Sequence, residues 1–256
     1  MRRIANCLRN LTRKLSAALN SPAKKAQKRQ KLIPATSRDL EVYEQFLRDV
    51  LQAMLDSDHD QQVVYALLAT NTDKLNDIFA EVLWNWATNI LANVEPDVAI
   101  YIATGIGNFS NLIQQFPLGS KASNMEIAIA GYEIALTVYT RNAFSKQWAT
   151  TQNNLAAAYC NRIFGERAEN IELAIAAYTN ALEVTHHSFP NLWALVKYSL
   201  GIAYCQRILG EQAENIEQAI AAFSGALEVF TRSAFAESWA DTQYKLGNAY
   251  LKRILG

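Results

Sequence analysis

The stretch "YCQRILGEQAENIEQAIAAF", residues 204–223, is an almost letter-for-letter copy of "YCNRIFGERAENIELAIAAY", residues 159–178, and the sequence ends on "YLKRILG", residues 250–256. Self-similarity at a fixed interval decides architecture, because each copy is one supersecondary unit that buries its apolar face only against its neighbours. Four series mark the interval: Trp148, Trp193 and Trp239; Leu155, Leu200 and Leu246; Tyr159, Tyr204 and Tyr250; Gly165, Gly210 and Gly256. All step by 45 or 46 residues. The single-residue difference falls between "LTVYTRNAF" or "LEVFTRSAF" and the shorter "LEVTHHSF", a place that reads as a loop.

Each unit reads as two helices. In "SKQWATTQNNLAAAYCNRI" the residues Trp148, Leu155, Tyr159 and Ile163 recur at sevens and fours, with amides and Arg elsewhere. Gly165 supplies a left-handed stop for this helix. The second helix is "NIELAIAAYTNALEV" or "NIEQAIAAFSGALEVF", with "NMEIAIAGYEIALTVY" as an earlier relative. The leading Asn of each is expected to cap it, although the preceding Gly-Glu-x-Ala-Glu is itself open to a helical reading. Phe144, Phe189 and Phe235, each four residues before a Trp, suit a staple-like contact where the first helix begins. Ala128, Ala174 and Ala219 precede Tyr132, Tyr178 and Phe223 by four residues, and Ala135, Ala181 and Ala226 follow three later. These are the small residues of close helix approach.

Residues 37–117 are helical as well, outside the register of the repeats. "SRDLEVYEQFLRDVLQAMLDS" gathers Leu40, Tyr43, Phe46, Leu47, Val50, Leu51 and Met54 on one face after a Ser37 cap, and "DQQVVYALLATN" reads as a shorter helix. "TDKLNDIFAEVLWNWATNILANV" is expected to start from a Thr72 cap. "EPDVAIYIATGIGNFSNLIQQFP" supplies one or two more helices, broken near Gly105 and Gly107. No strand-like alternation occurs. The expectation is an all-α protein in three parts: a basic leader over 1–36, a helical amino-terminal domain over 37–117, and repeats over 122–256 with the last unit incomplete.

Charge divides the chain unevenly. Residues 1–31 hold ten Lys or Arg and no acid, while the remainder holds fourteen bases against twenty-four acids, within a formal net charge of zero. In the leader, Ile4, Leu8, Leu11, Leu15 and Leu19 form one stripe among Arg and Lys, followed by "KKAQKRQK". The segment is a candidate for weak contact with an anionic membrane or nucleic acid, and equally reads as a partly disordered, solvated leader with some likeness to a targeting sequence. No run of eighteen apolar residues exists to span a membrane. Three cysteines in 256 residues suit a reducing cytoplasm, and Cys160 and Cys205, at one point of successive repeats, read as small apolar filler.

"LAAAY", "LGIAY" and "LGNAY", followed by Ala-x3-Tyr/Phe-x2-Ala, resemble the Leu-Gly-x2-Tyr and Ala-x3-Phe-x2-Ala signatures of tetratricopeptide repeats (TPR). The interval is longer than that family's usual 34 residues, the excess lying chiefly in "RIFGERAEN" and "TRNAFSKQW". HEAT-like repeats have a nearer interval without this residue code. From "YEQFLRDVLQAML" onward the arrangement also resembles the amino-terminal part of bacterial, notably cyanobacterial, repeat proteins that often carry a caspase-like CHAT protease domain further on; this sequence stops before such a domain would begin. The resemblance implies a right-handed α-solenoid of antiparallel hairpins serving as a recognition or regulatory scaffold.

Little in the sequence assembles a reaction centre. His59 falls in a polar turn, and His186 and His187, adjacent at a helix end, point about 100° apart with no Cys or acid cluster beside them, so neither a metal nor a cofactor is expected. "GIGNFS", residues 105–110, lacks the third glycine of a dinucleotide loop. The Tyr and Trp series read as core, not as a stacking platform for bases.

The resemblance implies that the first helices line a concave groove for a peptide. Counting two before and six after each motif leucine gives Asn153, Asn161, Tyr198, Gln206, Tyr244 and Lys252, with Ile202 and Asn248 beside them. Chaperone-tail binders of that family clamp a carboxylate with Lys and Asn; here the first repeat has Asn153 and Ala157 instead. The function expected is a non-enzymatic scaffold binding a protein or peptide on this face. Two alternatives stand beside it: a regulatory portion of a CHAT protease system whose catalytic domain is on another chain, and a membrane adaptor acting through the leader. Leu246, Tyr250 and Ile254 are expected to leave an apolar flank for a further association.

Overall fold

The computed structural model describes residues 37–186 and 188–255. Among them ten α-helices follow one another without a strand: α1 (Ser37–Asp56), α2 (Gln61–Ala69), α3 (Asp77–Leu91), α4 (Pro96–Gln115), α5 (Lys121–Val138), α6 (Ser145–Asn161), α7 (Arg167–Thr185), α8 (Pro190–Gln206), α9 (Gln212–Leu227) and α10 (Ala236–Leu255). The all-α expectation holds. The described residues form two compact units that meet in sequence at Val138 and Tyr139. The division expected at 117–122 thus falls on the short connection between α4 and α5, which belong to one unit.

In the first unit, apolar stripes at helical spacing meet in one core. Phe46, Leu47, Val50, Leu51 and Met54 of α1 are buried, as are Phe79, Leu83 and Trp86 of α3 and Ile102, Ile106, Phe109 and Ile113 of α4. The Phe79 ring lies 5.0 Å from Phe46 and 6.3 Å from Phe109, edge-on to the latter, so it joins three helices. Burying such a ring contributes about 2–3 kcal/mol of transfer free energy. Asp60 caps α2 by accepting from the Gln62 amide at 2.7 Å. Two expectations fail here. Thr72 opens only a 3-10 turn, and the cap of α3 is Asn76, whose side chain accepts from Phe79 N. The helix thought to break near Gly105 and Gly107 runs unbroken through both. Each glycine costs about 1 kcal/mol relative to alanine, less than the burial of the Ile102, Ile106, Phe109 and Ile113 stripe that requires a continuous helix.

The second unit is built by succession: α6 packs on α7, α7 on α8, α8 on α9 and α9 on α10. The pairs are antiparallel. Arg141, just before α6, meets Glu183 near the end of α7, and Trp193 at the start of α8 clusters with Ala226 and Phe230 at the end of α9. The rings of Phe144 and Phe235 turn to Tyr139 and Phe230 at 5.8 and 5.6 Å, while the Phe144 and Phe235 carbonyls accept from the amides of Trp148 and Trp239. These Phe residues therefore begin the first helices and seal the loops before them.

Three connections share one construction: 116–120 after α4, 162–166 after α6 and 207–211 after α8, each five residues long. The helix ends at an extended residue, Phe116, Arg162 or Arg207, not at the glycine. Gly119, Gly165 and Gly210 lie three residues farther on with φ of 77°, 78° and 77°, a left-handed turn that feeds the next helix. The expected Asn caps are likewise displaced. Asn124, Asn170 and Asn215 lie inside the second helices, nearly fully buried. Each donates from Nδ2 back to the carbonyl before the glycine, Leu118 O at 2.9 Å, Phe164 O at 2.8 Å and Leu209 O at 2.9 Å. The helical reading of Gly-Glu-x-Ala-Glu is the one that holds.

Close approach completes the α8–α9 pair, since a Cβ on Gly201 would come within 2.6 Å of the Phe223 ring. Gly201→Val is expected to lower the melting temperature measured by circular dichroism, by overpacking that costs about 1–3 kcal/mol or more. Asn215→Ala is expected to lower it through an orphaned carbonyl, about 1–3 kcal/mol. Asn215→Asp keeps an acceptor for Arg207 but no donor for Leu209 O, so equal stability of wild type and Asn215→Asp would refute the reach-back bond.

Candidate functional site

The seven residues singled out as a binding face have different fates. Asn153 is buried on α6, donating to Asn154 Oδ1 at 3.2 Å, and its own Oδ1 has no hydrogen-bond partner. Asn161 is exposed and folds back onto Ala157 O at 2.8 Å. The Tyr198 hydroxyl donates to Asp241 Oδ2 of α10, and its ring lies 6.1 Å from Phe223. Burial, and then the neighbouring Asp241 carboxylate, pushes that hydroxyl far above the ordinary phenol range. Tyr198 thus ties α8 to α10 and presents little free surface. Tyr244, its counterpart one repeat on, is 64% exposed.

Gln206, Asn248 and Lys252 are brought together. They line a groove of about 440 Å³ between α8 and α10, with Phe223 of α9 behind it. Helical spacing explains the convergence. Lys245, Asn248, Ala249 and Lys252 of α10 stand at i, i+3, i+4 and i+7, one face of the helix, opposite Ile202, Cys205 and Gln206 of α8. The floor is apolar: Ile202, Phe223, Ala249 and Leu251. The rim carries two amides and two ammonium groups. Lys245 and Lys252, seven residues apart on α10, are separated by about 10 Å along the axis. Neither forms an ion pair with a described carboxylate; the nearest partner of Lys245 Nζ is the Tyr244 ring at 5.8 Å.

Sequence reasoning missed Lys245, Cys205, Leu251 and Phe223. A count of two before and six after the motif leucine skips Lys245, which lies one before Leu246; its spacing of seven from Lys252 was the available signal. Cys205 was read as filler, yet it borders the groove half-buried. Burial pushes its thiol up, and the ammonium groups of Lys252 and Lys245 pull it partly back.

The back of the site is braced. Arg207, at the end of α8, donates to both carboxylate oxygens of Glu172 on α7, Nε at 2.7 Å and Nη2 at 2.9 Å, and from Nη1 to Asn215 Oδ1 of α9 at 3.2 Å. One guanidinium therefore fixes three helices where Gln206 leaves α8, a fork that lysine cannot reproduce. Gln206 itself accepts from Arg167 of α7 at 2.7 Å.

The remaining chemical candidates stand apart. His59 sits at positive φ in the α1–α2 turn beside a pocket of about 20 Å³, room for no more than a water molecule. His186 ends α7 with its ring 4.9 Å from Trp193; His187 and the whole leader lie outside the described residues. Among the described residues no three His, Cys, Asp or Glu side chains gather to hold a metal ion, and no helix is long and apolar enough to cross a membrane.

Thiol chemistry reads the groove directly. Alkylation of Cys205 by iodoacetamide is expected to be slower than that of a free thiol at pH 7.5 and to speed up as pH rises past the ordinary thiol pKa of about 8.5. Lys245→Glu with Lys252→Glu, which removes the opposing pull, is expected to slow it further; acceleration in that variant would contradict the assigned electrostatics. No family model, curated protein or solved structure matches the chain.

Proposed function

We propose that the chain is a TPR-like interaction scaffold of long repeats, stacked as an α-solenoid, that holds a peptide segment of a partner protein in the groove between α8 and α10. The observation that carries this reading is the convergence of Gln206, Asn248 and Lys252 with Lys245 around an apolar floor of Ile202, Phe223 and Ala249. An extended or helical segment puts an apolar side chain on that floor, where most of the affinity is expected, while the amides meet its backbone and the ammonium groups meet its carboxylates. The residue code of the paired helices, Leu-Gly-x2-Tyr followed by Ala-x3-Phe-x2-Ala, supports the family likeness. On this reading the protein works by recognition, and chemistry belongs to whatever it recruits.

A peptide library displayed on phage and panned against the intact chain tests the proposal. Enriched sequences are expected to pair an apolar anchor with Asp or Glu, to protect Cys205 from alkylation, and to bind at least about tenfold more weakly to Lys245→Glu with Lys252→Glu. Binders that tolerate both changes and leave Cys205 reactive would reject the groove as the site.

A further inference from the structure

The flank of α10 turned away from α9 is built like an occupied surface elsewhere in the same unit, but nothing described occupies it. In the α8–α9 pair, α8 presents Gly201 to the Phe223 ring, and Tyr198 packs on the same ring. The equivalent residues of α10 are Gly247 and Tyr244, one interval on. A Cβ on Gly247 meets no atom within 4 Å, and Tyr244 is 64% exposed. The tyrosine after the motif glycine shows the same trend: Tyr159 is buried, Tyr204 half-buried and Tyr250 38% exposed. Ile254, four residues beyond Tyr250 on the same stripe, is 76% exposed. The surface therefore has the glycine socket and aromatic walls of a helix–helix interface, with the ring missing.

A second group points the same way. The arginine that ends each first helix bonds the buried Asn of the helix that follows, Arg162 to Asn170 at 3.4 Å and Arg207 to Asn215 at 3.2 Å. Arg253 holds the same place in α10 and reaches only back, to Glu217 of α9 at 3.5 Å. The groups that α10 leaves open thus specify their complement: an Asn for Arg253 and, eight residues later, an aromatic ring for Gly247, with small residues flanking the ring. That is the pattern Asn-x3-Ala-x3-Phe/Tyr-x2-Ala, present here at 124–135, 170–181 and 215–226.

We infer that this flank of α10 docks a helix of another polypeptide carrying Asn-x3-Ala-x3-Phe/Tyr-x2-Ala. The chain does not supply that helix from its own leader, since residues 1–36 contain no aromatic residue and their positive charge faces Lys252 and Arg253. A second folded copy does not supply it either, because Tyr132, Tyr178 and Phe223 are each at most 3% exposed within their own hairpins. The surface lies on a different stripe of α10 from Lys245, Asn248 and Lys252, so it is distinct from the groove.

The test uses the intact chain and a fluorescein-labelled synthetic peptide with the sequence of residues 212–230. Isolated helices of this length are marginal in water, so binding is expected at about 10–100 µM by anisotropy. Phe223→Ala in the peptide and Gly247→Leu in the protein are each expected to weaken it at least about tenfold. Gly247→Leu should leave the melting temperature no lower, since the added side chain enters open space. Absence of saturation, or binding indifferent to both substitutions, would overturn the inference. So would sedimentation showing that the chain dimerises and that Gly247→Leu releases monomers, because the occupant would then be a second copy.

Discussion

Each five-residue connection between paired helices leaves a carbonyl facing inward, and the position of everything after it depends on how that carbonyl is satisfied. A buried asparagine from the first turns of the next helix does so, Asn215 reaching Leu209 O at 2.9 Å beside the left-handed Gly210. The bond fixes the helix axially as well as the loop. Phe223 lies eight residues after Asn215, about 12 Å along the helix, and that distance brings its ring over Gly201. With the ring seated there, its other edge becomes the back wall of the groove. A buried amide in a loop thus decides where a binding surface forms twelve residues of contour away, which is why a polar group is retained where an apolar one would cost less to bury.

The arginines extend the same arrangement from hairpin to hairpin. Arg207 accepts no role as an isolated surface ion pair: it faces two carboxylate oxygens of the preceding second helix and the amide oxygen of the following one. A partly exposed pair of this kind contributes about 1 kcal/mol, so its main effect is geometric, setting three helix ends relative to one another. The α4–α5 connection lacks it. Its extended cap is Phe116, and the Oδ1 atom of Asn124 there is buried without a partner. The loop bond survives without the arginine, so the asparagine is the older requirement in the physical sense: it is needed by the single hairpin, whereas the arginine is needed only where hairpins are stacked.

How much of this was legible depends on how local the cause is. The 45- and 46-residue steps expose every repeat element, because glycine, the paired alanines and the ring between them are each required by contacts inside one unit. The asparagines were visible but misread: a cap and a reach-back bond place the same residue near the same boundary, and only the start of the helix distinguishes them. The break expected in α4 failed because glycine propensity is weak against the four-residue stripe from Ile102 to Ile113. At the groove, Gln206, Asn248 and Lys252 were accessible to counting along each helix, whereas Tyr198 was not. Its partner Asp241 is 43 residues distant, and no periodicity announces that a tyrosine on one helix is tied to an acid on the next.

Helix α10 is the wall shared by the two surfaces, and it is fixed to the rest of the unit along one stripe. Thr242 and Ala249 are buried there, Leu246 is half-buried, and Tyr198 and Glu217 add tethers from α8 and α9. The residues that shape the groove, Lys245, Asn248 and Lys252, stand on one side of that stripe, and the Gly247 socket on the other. A helix seated in the socket would hold α10 from two sides and reduce the freedom that a groove ligand must otherwise quench on binding. Coupling of this origin needs no change of shape, only a shared element whose ordering is a cost borne once. It is also reciprocal, so a peptide in the groove would tighten the docked helix by the same factor. An unfinished helix face next to a positive groove is therefore a physical route by which one partner conditions the binding of another.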